Sequence, residues 1–218
     1  MIISFLVQAK LNAKFEKYSK IKLKNGLSGK DIAKKMLTDY GIYDVEVICV
    51  SGTLTDHYNP LNKTVNLSES VYNNVSAAAA AVAAHECGHV LQHAHAYSML
   101  QFRSFLVPIV QISSNLMQWV LMAGFTIMYT SNSTTILLIG IIMFAFTTLF
   151  SLVTLPVEYD ASNRALKWFK ENNMVTIEEY ANAKDSLNWA ARTYLVAALG
   201  SIAQLFYFIK VFTDDRRD

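Results

Sequence analysis

Residues 84–96 read AHECGHVLQHAHA. On a helix, His85 and His89 stand four residues apart and project from one face, one turn apart. That separation lets two imidazole nitrogens reach one zinc ion at about 2.1 Å. Glu86 is rotated only modestly from both, so it can sit beside the metal without binding it. There it can hold a water whose pKa zinc lowers toward about 7, and take its proton. This is the hydrolytic chemistry of the HExxH pattern, here spelled HECGH. A glutamate among histidines in an alanine-rich stretch fits the same chemistry, because buried charge is expensive unless it is paired or metal-bound.

Catalytic zinc usually has three protein ligands. His93 lies a further turn along, but its Cα is about 12 Å along the axis from that of His85, so a straight helix cannot bring all three to one ion. His95 occupies the last position of the metzincin pattern HExxHxxGxxH. That pattern needs glycine where this chain has Gln92, because the helix must break there. Glu158 is the third candidate. It is the first charged residue after a long uncharged segment, and it opens the helical stretch VEYDASNRALKWF.

That segment organises the chain. Between Arg103 and Glu158 roughly fifty residues carry no charge, enough for two membrane spans of about 20 residues each. Phe105 to Met128 reads as the first span and Thr135 to Leu155 as the second, with YTSNS as the turn and Pro156 after it. A third apolar run covers Tyr194 to Phe212. A hairpin returns the chain to the side it left, so Glu158 arrives at the membrane face that holds His85 and His89.

The rest is smaller. MIISFLVQ is an apolar start too short to cross a hydrocarbon core of about 30 Å, an anchor or part of a span. LSGKDIAKKMLTDYGI reads as a helix capped by Ser28 and stopped by Gly41. VEVICV and TVNL read as strands separated by turn chemistry at Asn59-Pro60 and Asn62. The alanine run predicts one helix from about Ser76 to at least His93. In the 218-residue chain, 53% of residues are hydrophobic and 17% charged, well under the roughly 25% charged share of soluble domains. A net charge of +2 does not argue for nucleic acid. The two cysteines, Cys49 and Cys87, read as reduced and not as a disulfide framework.

HECGHVLQHAHAY followed by LVP, an uncharged hairpin and LPVEYDAS, with LTDHYNP upstream, resembles the YugP-type membrane zinc metallopeptidases. The resemblance runs from about Lys14 to the last span. It implies a gluzincin-like peptidase embedded in the membrane, distantly similar to the HtpX group and the CAAX prenyl proteases. By it, His85, His89 and Glu158 match the zinc ligands and Glu86 the catalytic base. One departure stands out. The HtpX group writes its third-ligand helix E-x-x-x-D, whereas here Ser162 follows Glu158 by four and the acid is Asp160. Asp160 is therefore the expected partner of a zinc histidine.

The expectation is a mainly α membrane protein. A zincin-like α+β region with a small sheet (residues 10–104 and 156–192) carries the site. Residues 1–9 are the anchor, 105–155 the transmembrane hairpin, 193–212 the last span and 213–218 the tail. His57 lies in the turn-rich stretch before the active helix and is a candidate donor to the oxyanion of the tetrahedral intermediate. His93 and His95 are expected to bind no metal. Arg164 is expected to pair with Asp160 at i,i+4. The expected cofactor is one Zn2+, and the expected partners are membrane or membrane-proximal protein substrates and the lipid bilayer. Nine lysines lie between Lys10 and Lys35, and YTSNS has no basic residue. The positive-inside rule then puts the catalytic face in the cytoplasm of a multi-pass plasma-membrane protein; only Arg216 and Arg217 oppose it. The rival function is a non-catalytic membrane protein that binds or senses metal, which would have no use for Glu86.

Overall fold

A computed structural model describes residues 2–214. Arg216 and Arg217 lie outside the described residues. Among these, the chain forms helices α1 (Ile2–Ser19), α2 (Gly29–Asp39), α3 (Glu69–Tyr72), α4 (Ala77–Ala94), α5 (Ser98–Ser131), α6 (Thr135–Glu171) and α7 (Ile177–Asp214), and strands β1 (Glu46–Val50), β2 (His57–Asn59) and β3 (Thr64–Ser68). The protein is mainly helical, with a small mixed sheet and three helices, α5 to α7, long and apolar enough to cross a membrane. By compactness it divides into two units, Met1–Tyr97 with Val157–Thr193, and Ser98–Pro156 with Tyr194–Asp218.

The first unit follows its local signals closely. Ser28 caps α2 in a reciprocal box with Asp31, and Gly41 leaves the helix at φ +70°, a conformation glycine adopts without strain. The sheet order is β1-β3-β2, with β1 parallel and β2 antiparallel to β3. Strand β2 is therefore an edge, too short to be visible as a periodic pattern. Ser76 caps α4 by accepting from the Ala79 amide, and the alanine run behind it is buried. Around α4 pack α1, α2, α3 and the sheet. Ile32, Met36, Leu67, Val71, Trp168 and Phe169 are fully buried in this core. Each such side chain contributes about 1.5–3 kcal/mol on burial. Helix α1 joins the core only through its later turns, at Phe15 and Tyr18, while Ile2, Ile3, Phe5 and Leu6 are exposed.

The second unit is held differently. Gly124 lets the backbone of Leu137 approach closely, and a Cβ at that glycine would meet Leu137 Cα at 2.7 Å. Phe144 meets Phe208 edge to face, with ring centroids 5.3 Å apart. Phe105, Ile112, Trp119 and Phe206 point outward and are exposed.

The helices are longer than the apolar runs. Pro108 lies inside α5, near the start of the first apolar run, and Pro156 lies inside α6, where a boundary was expected. A proline deletes one bond of the ladder, to the carbonyl four residues back, and here the helix continues on both sides. Thus α6 runs unbroken from the apolar stretch through Glu158, and α7 starts at Ile177, well before Tyr194.

Candidate metal centre

Helix α4 presents His85 and His89 one turn apart, their rings edge to face with centroids 4.8 Å apart. Glu158 approaches from α6. Its Oε2 lies 3.3 Å from His85 Nε2 and 3.7 Å from His89 Nε2. One ligand atom from each of the three lies within 4.8 Å of the others. Two ligands about 2.1 Å from a tetrahedral ion are separated by about 3.4 Å, close to both imidazole–carboxylate distances here. The donor set, two imidazoles and a carboxylate, is one that zinc takes in catalytic sites. Among the described residues, His/Cys/Asp/Glu side chains form this one grouping able to hold a metal.

The close approach of α6 depends on Gly88. A methyl group there would strike the carbonyl of Ala161. Burial completes the site, since Glu158 is only 4% exposed and Glu86 7%. Burial pushes the Glu158 carboxyl up, but the imidazoles of His85 and His89 beside it outweigh this and hold the group well below the usual carboxylate range. Burial likewise pulls the His89 imidazole down, yet the nearby carboxylates of Glu158 and Glu86 leave its pKa raised. The cluster thus keeps negative charge at Glu158, in surroundings that favour a cation.

Each histidine is held at its other nitrogen. His85 Nδ1 lies 3.1 Å from Ser162 Oγ, and His89 Nδ1 lies 3.0 Å from Gln92 Oε1. Fixing the distal nitrogen orients the ring and leaves Nε2 for a metal. Asp160 does not touch either histidine in this network. Its Oδ2 accepts from Gln92 Nε2 at 2.8 Å and from Arg164 Nε at 2.6 Å, so it lies one residue further out than expected. Ser162 itself stands beside His85, although its hydroxyl cannot carry the charge of the aspartate in the HtpX pattern. Both missed residues had a helical signal: Gln92 is three after His89, and Ser162 four after Glu158.

Glu86 sits beside the three. Its Oε2 accepts from the Tyr58 amide at 3.0 Å, a bond from edge strand β2. His57, one residue earlier, is exposed, and its Nδ1 lies 2.7 Å from the Thr55 carbonyl. A carbonyl only accepts, so Nδ1 carries the proton and the neutral ring has a bare Nε2. The remaining histidines have other partners. His93 Nδ1 meets the Tyr58 hydroxyl at 3.0 Å, and His95, the C-cap of α4, lies with its Nδ1 3.3 Å from Arg164 Nη1. Cys87 is buried against the Ala33 carbonyl, and burial pushes its thiol far up, away from reactivity.

Comparison with known proteins agrees with this geometry. A family model described as "Putative neutral zinc metallopeptidase" matches residues 1–213. A curated protein of Bacillus subtilis (strain 168), named "Putative membrane protease YugP", is 38% identical over 214 residues, covering 98% of this chain and 93% of that protein. No solved structure matches the chain. Matched along almost its whole length, with two histidines and a glutamate gathered as a zinc site needs, the chain belongs to the neutral zinc metallopeptidase family.

Proposed function

We propose that this protein is a membrane-embedded, zinc-dependent endopeptidase that cleaves membrane or membrane-proximal proteins. The observation that carries the reading is the cluster of His85, His89 and Glu158 with the buried carboxylate of Glu86 beside it. His85, His89 and Glu158 would hold a zinc ion, which would supply a Lewis acid for the scissile carbonyl and the attacking water. His85 and His89 would offer Nε2 and Glu158 would offer Oε2, the atoms that face one another here. Glu86 accepts the proton of the attacking water and delivers it to the leaving amine. The Tyr58 amide restrains one Glu86 oxygen and leaves the other for the proton. Edge strand β2 offers its free side to an extended peptide by strand addition. In this scheme His57 donates to the oxyanion only as the imidazolium, because its neutral ring has no proton at Nε2.

On this reading the chain crosses the membrane more than once, with its catalytic face in the cytoplasm. Its support is the charge pattern: nine lysines between Lys10 and Lys35, more basic residues at Arg164, Lys167, Lys170, Lys184 and Arg192, and none in YTSNS. Ser131→Cys should label from outside intact cells with an impermeant thiol reagent. Labelling of Asn62→Cys instead would reverse the orientation.

The catalytic reading is tested on protein purified in detergent, by zinc content and by casein hydrolysis with and without chelator. One zinc per chain with chelator-sensitive cleavage is expected. Zinc bound with no cleavage of casein or of a membrane-protein panel would favour a metal-binding protein that does no hydrolysis.

A further inference from the structure

Gln92 is fully buried, and nothing in the scheme above uses it. Its side chain makes three contacts. Oε1 lies 3.0 Å from His89 Nδ1, and Nε2 donates to the Val157 carbonyl at 2.7 Å and to Asp160 Oδ2 at 2.8 Å. The two acceptors flank Glu158, one residue before it and two after. Gln92 thus ties one proposed ligand on α4 to the backbone and side chain beside another on α6.

The polarity of this chain of bonds has one solution. The Val157 carbonyl has no proton to give, so the amide nitrogen must face it. Asp160 is already accepting from Arg164, and as a carboxylate it too requires a donor. The amide oxygen therefore faces His89, and an oxygen there requires the proton on Nδ1. In the neutral ring this leaves the lone pair on Nε2, the nitrogen that lies 3.7 Å from Glu158 Oε2. A serine hydroxyl enforces no such choice, since it donates or accepts equally well, so Ser162 leaves the state of His85 open.

We infer that Gln92 is a positioning residue that fixes the metal-binding tautomer of His89 and the seat of Glu158 at once. The inference rests on the zinc reading. Gln92→Met keeps the length of the side chain and removes every hydrogen bond. Zinc affinity, measured by competition with a chromophoric chelator, should fall about 10–100-fold, the usual effect of removing such a partner. Far-UV circular dichroism should stay that of the wild type, and the visible spectrum of the cobalt-substituted protein should change. Ser162→Ala should lower the affinity less. Wild-type zinc affinity and an unchanged cobalt spectrum in Gln92→Met would overturn the inference.

If Gln92→Met fails to fold, a second pair decides. Gln92→Glu sets oxygen against the Val157 carbonyl and the Asp160 carboxylate, and adding Asp160→Asn restores one donor. The double variant should bind zinc more tightly than Gln92→Glu alone. Equal or weaker binding would also overturn the inference. The two readings fail separately. A wild-type protein that takes up no zinc removes both, whereas a wild-type protein that binds it no better than Gln92→Met removes only the role of Gln92.

Discussion

The two units satisfy their polar side chains in opposite ways. In the second, Ser104, Thr126, Thr130, Thr147, Thr148 and Ser151 each donate to the carbonyl four residues back on their own helix. No partner element is needed, which suits apolar surroundings where an unpaired donor is costly. In the first, polar groups reach across elements. Tyr18 on α1 donates to Asp185 on α7, Trp168 on α6 donates to Asp39 on α2, and Gln92 joins α4 to α6. Position in the first unit is therefore written in directional bonds between elements. In the second it is written in apolar packing and small residues. Single polar substitutions should be severe in the one and mild in the other.

The largest effects belong to the proposed site. Glu86→Gln should keep its zinc and lose roughly 10²–10⁴-fold in turnover, the usual worth of a general base. Glu158→Ala should lose metal as well as activity, because two histidines hold an ion weakly. Metal analysis of purified His95→Ala is the counterpart. Zinc lost there and kept in Glu158→Ala would refute the ligand set.

Next come the glycines. Gly88→Ala drives a methyl into the Ala161 backbone, which cannot rotate away. A loss of about 1–3 kcal/mol or more, read from chemical denaturation in detergent, is expected together with weaker zinc binding. Gly140→Ala meets first the end of the Leu121 side chain, and should cost less. A larger loss at Gly140 would erase the contrast.

Acid should then separate the wild type from Glu179→Gln. Burial pushes the Glu179 carboxyl up, but amides of Thr176 and Lys24 donating to it outweigh this and lower its pKa. A depressed folded value means its stabilisation is complete above the unfolded value of about 4.3 and is lost as pH falls through the folded value. Chelator-treated wild type should lose stability more steeply below about pH 4.3 than Glu179→Gln does, as followed by thermal melts. Parallel curves would remove this tether between α7 and the segment after α1.

The smallest effect is expected at Thr126→Val. The hydroxyl is exposed and bonds only to its own helix, so stability should shift within about 0.5 kcal/mol.

Legibility in the sequence follows the same division. HECGH on an alanine helix and Glu158 beyond the charge-free segment are local signals, and the structure brings His85, His89 and Glu158 together. Ser28, Gly41 and Ser76 carry cap chemistry that acts within four residues, and they bound the elements expected of them. What escaped depends on partners distant in sequence. Gln92 reads as a polar residue on a helix until Val157 and Asp160 are brought beside it, 65 and 68 residues away. The Glu86 restraint is a backbone amide, which leaves no trace in residue type. Proline misled at residue 156, because its local preference to end a helix yielded to a long helix that loses only one bond there.

The order of the ligands along the chain also sets a schedule. His85, Glu86 and His89 leave the ribosome first, and the whole uncharged hairpin is made before Glu158. A nascent chain halted anywhere in that hairpin carries the base and two of the three proposed ligands, but not the third. On this reading hydrolytic competence is gained only after both hairpin helices exist, so an unfinished chain lacks a complete site.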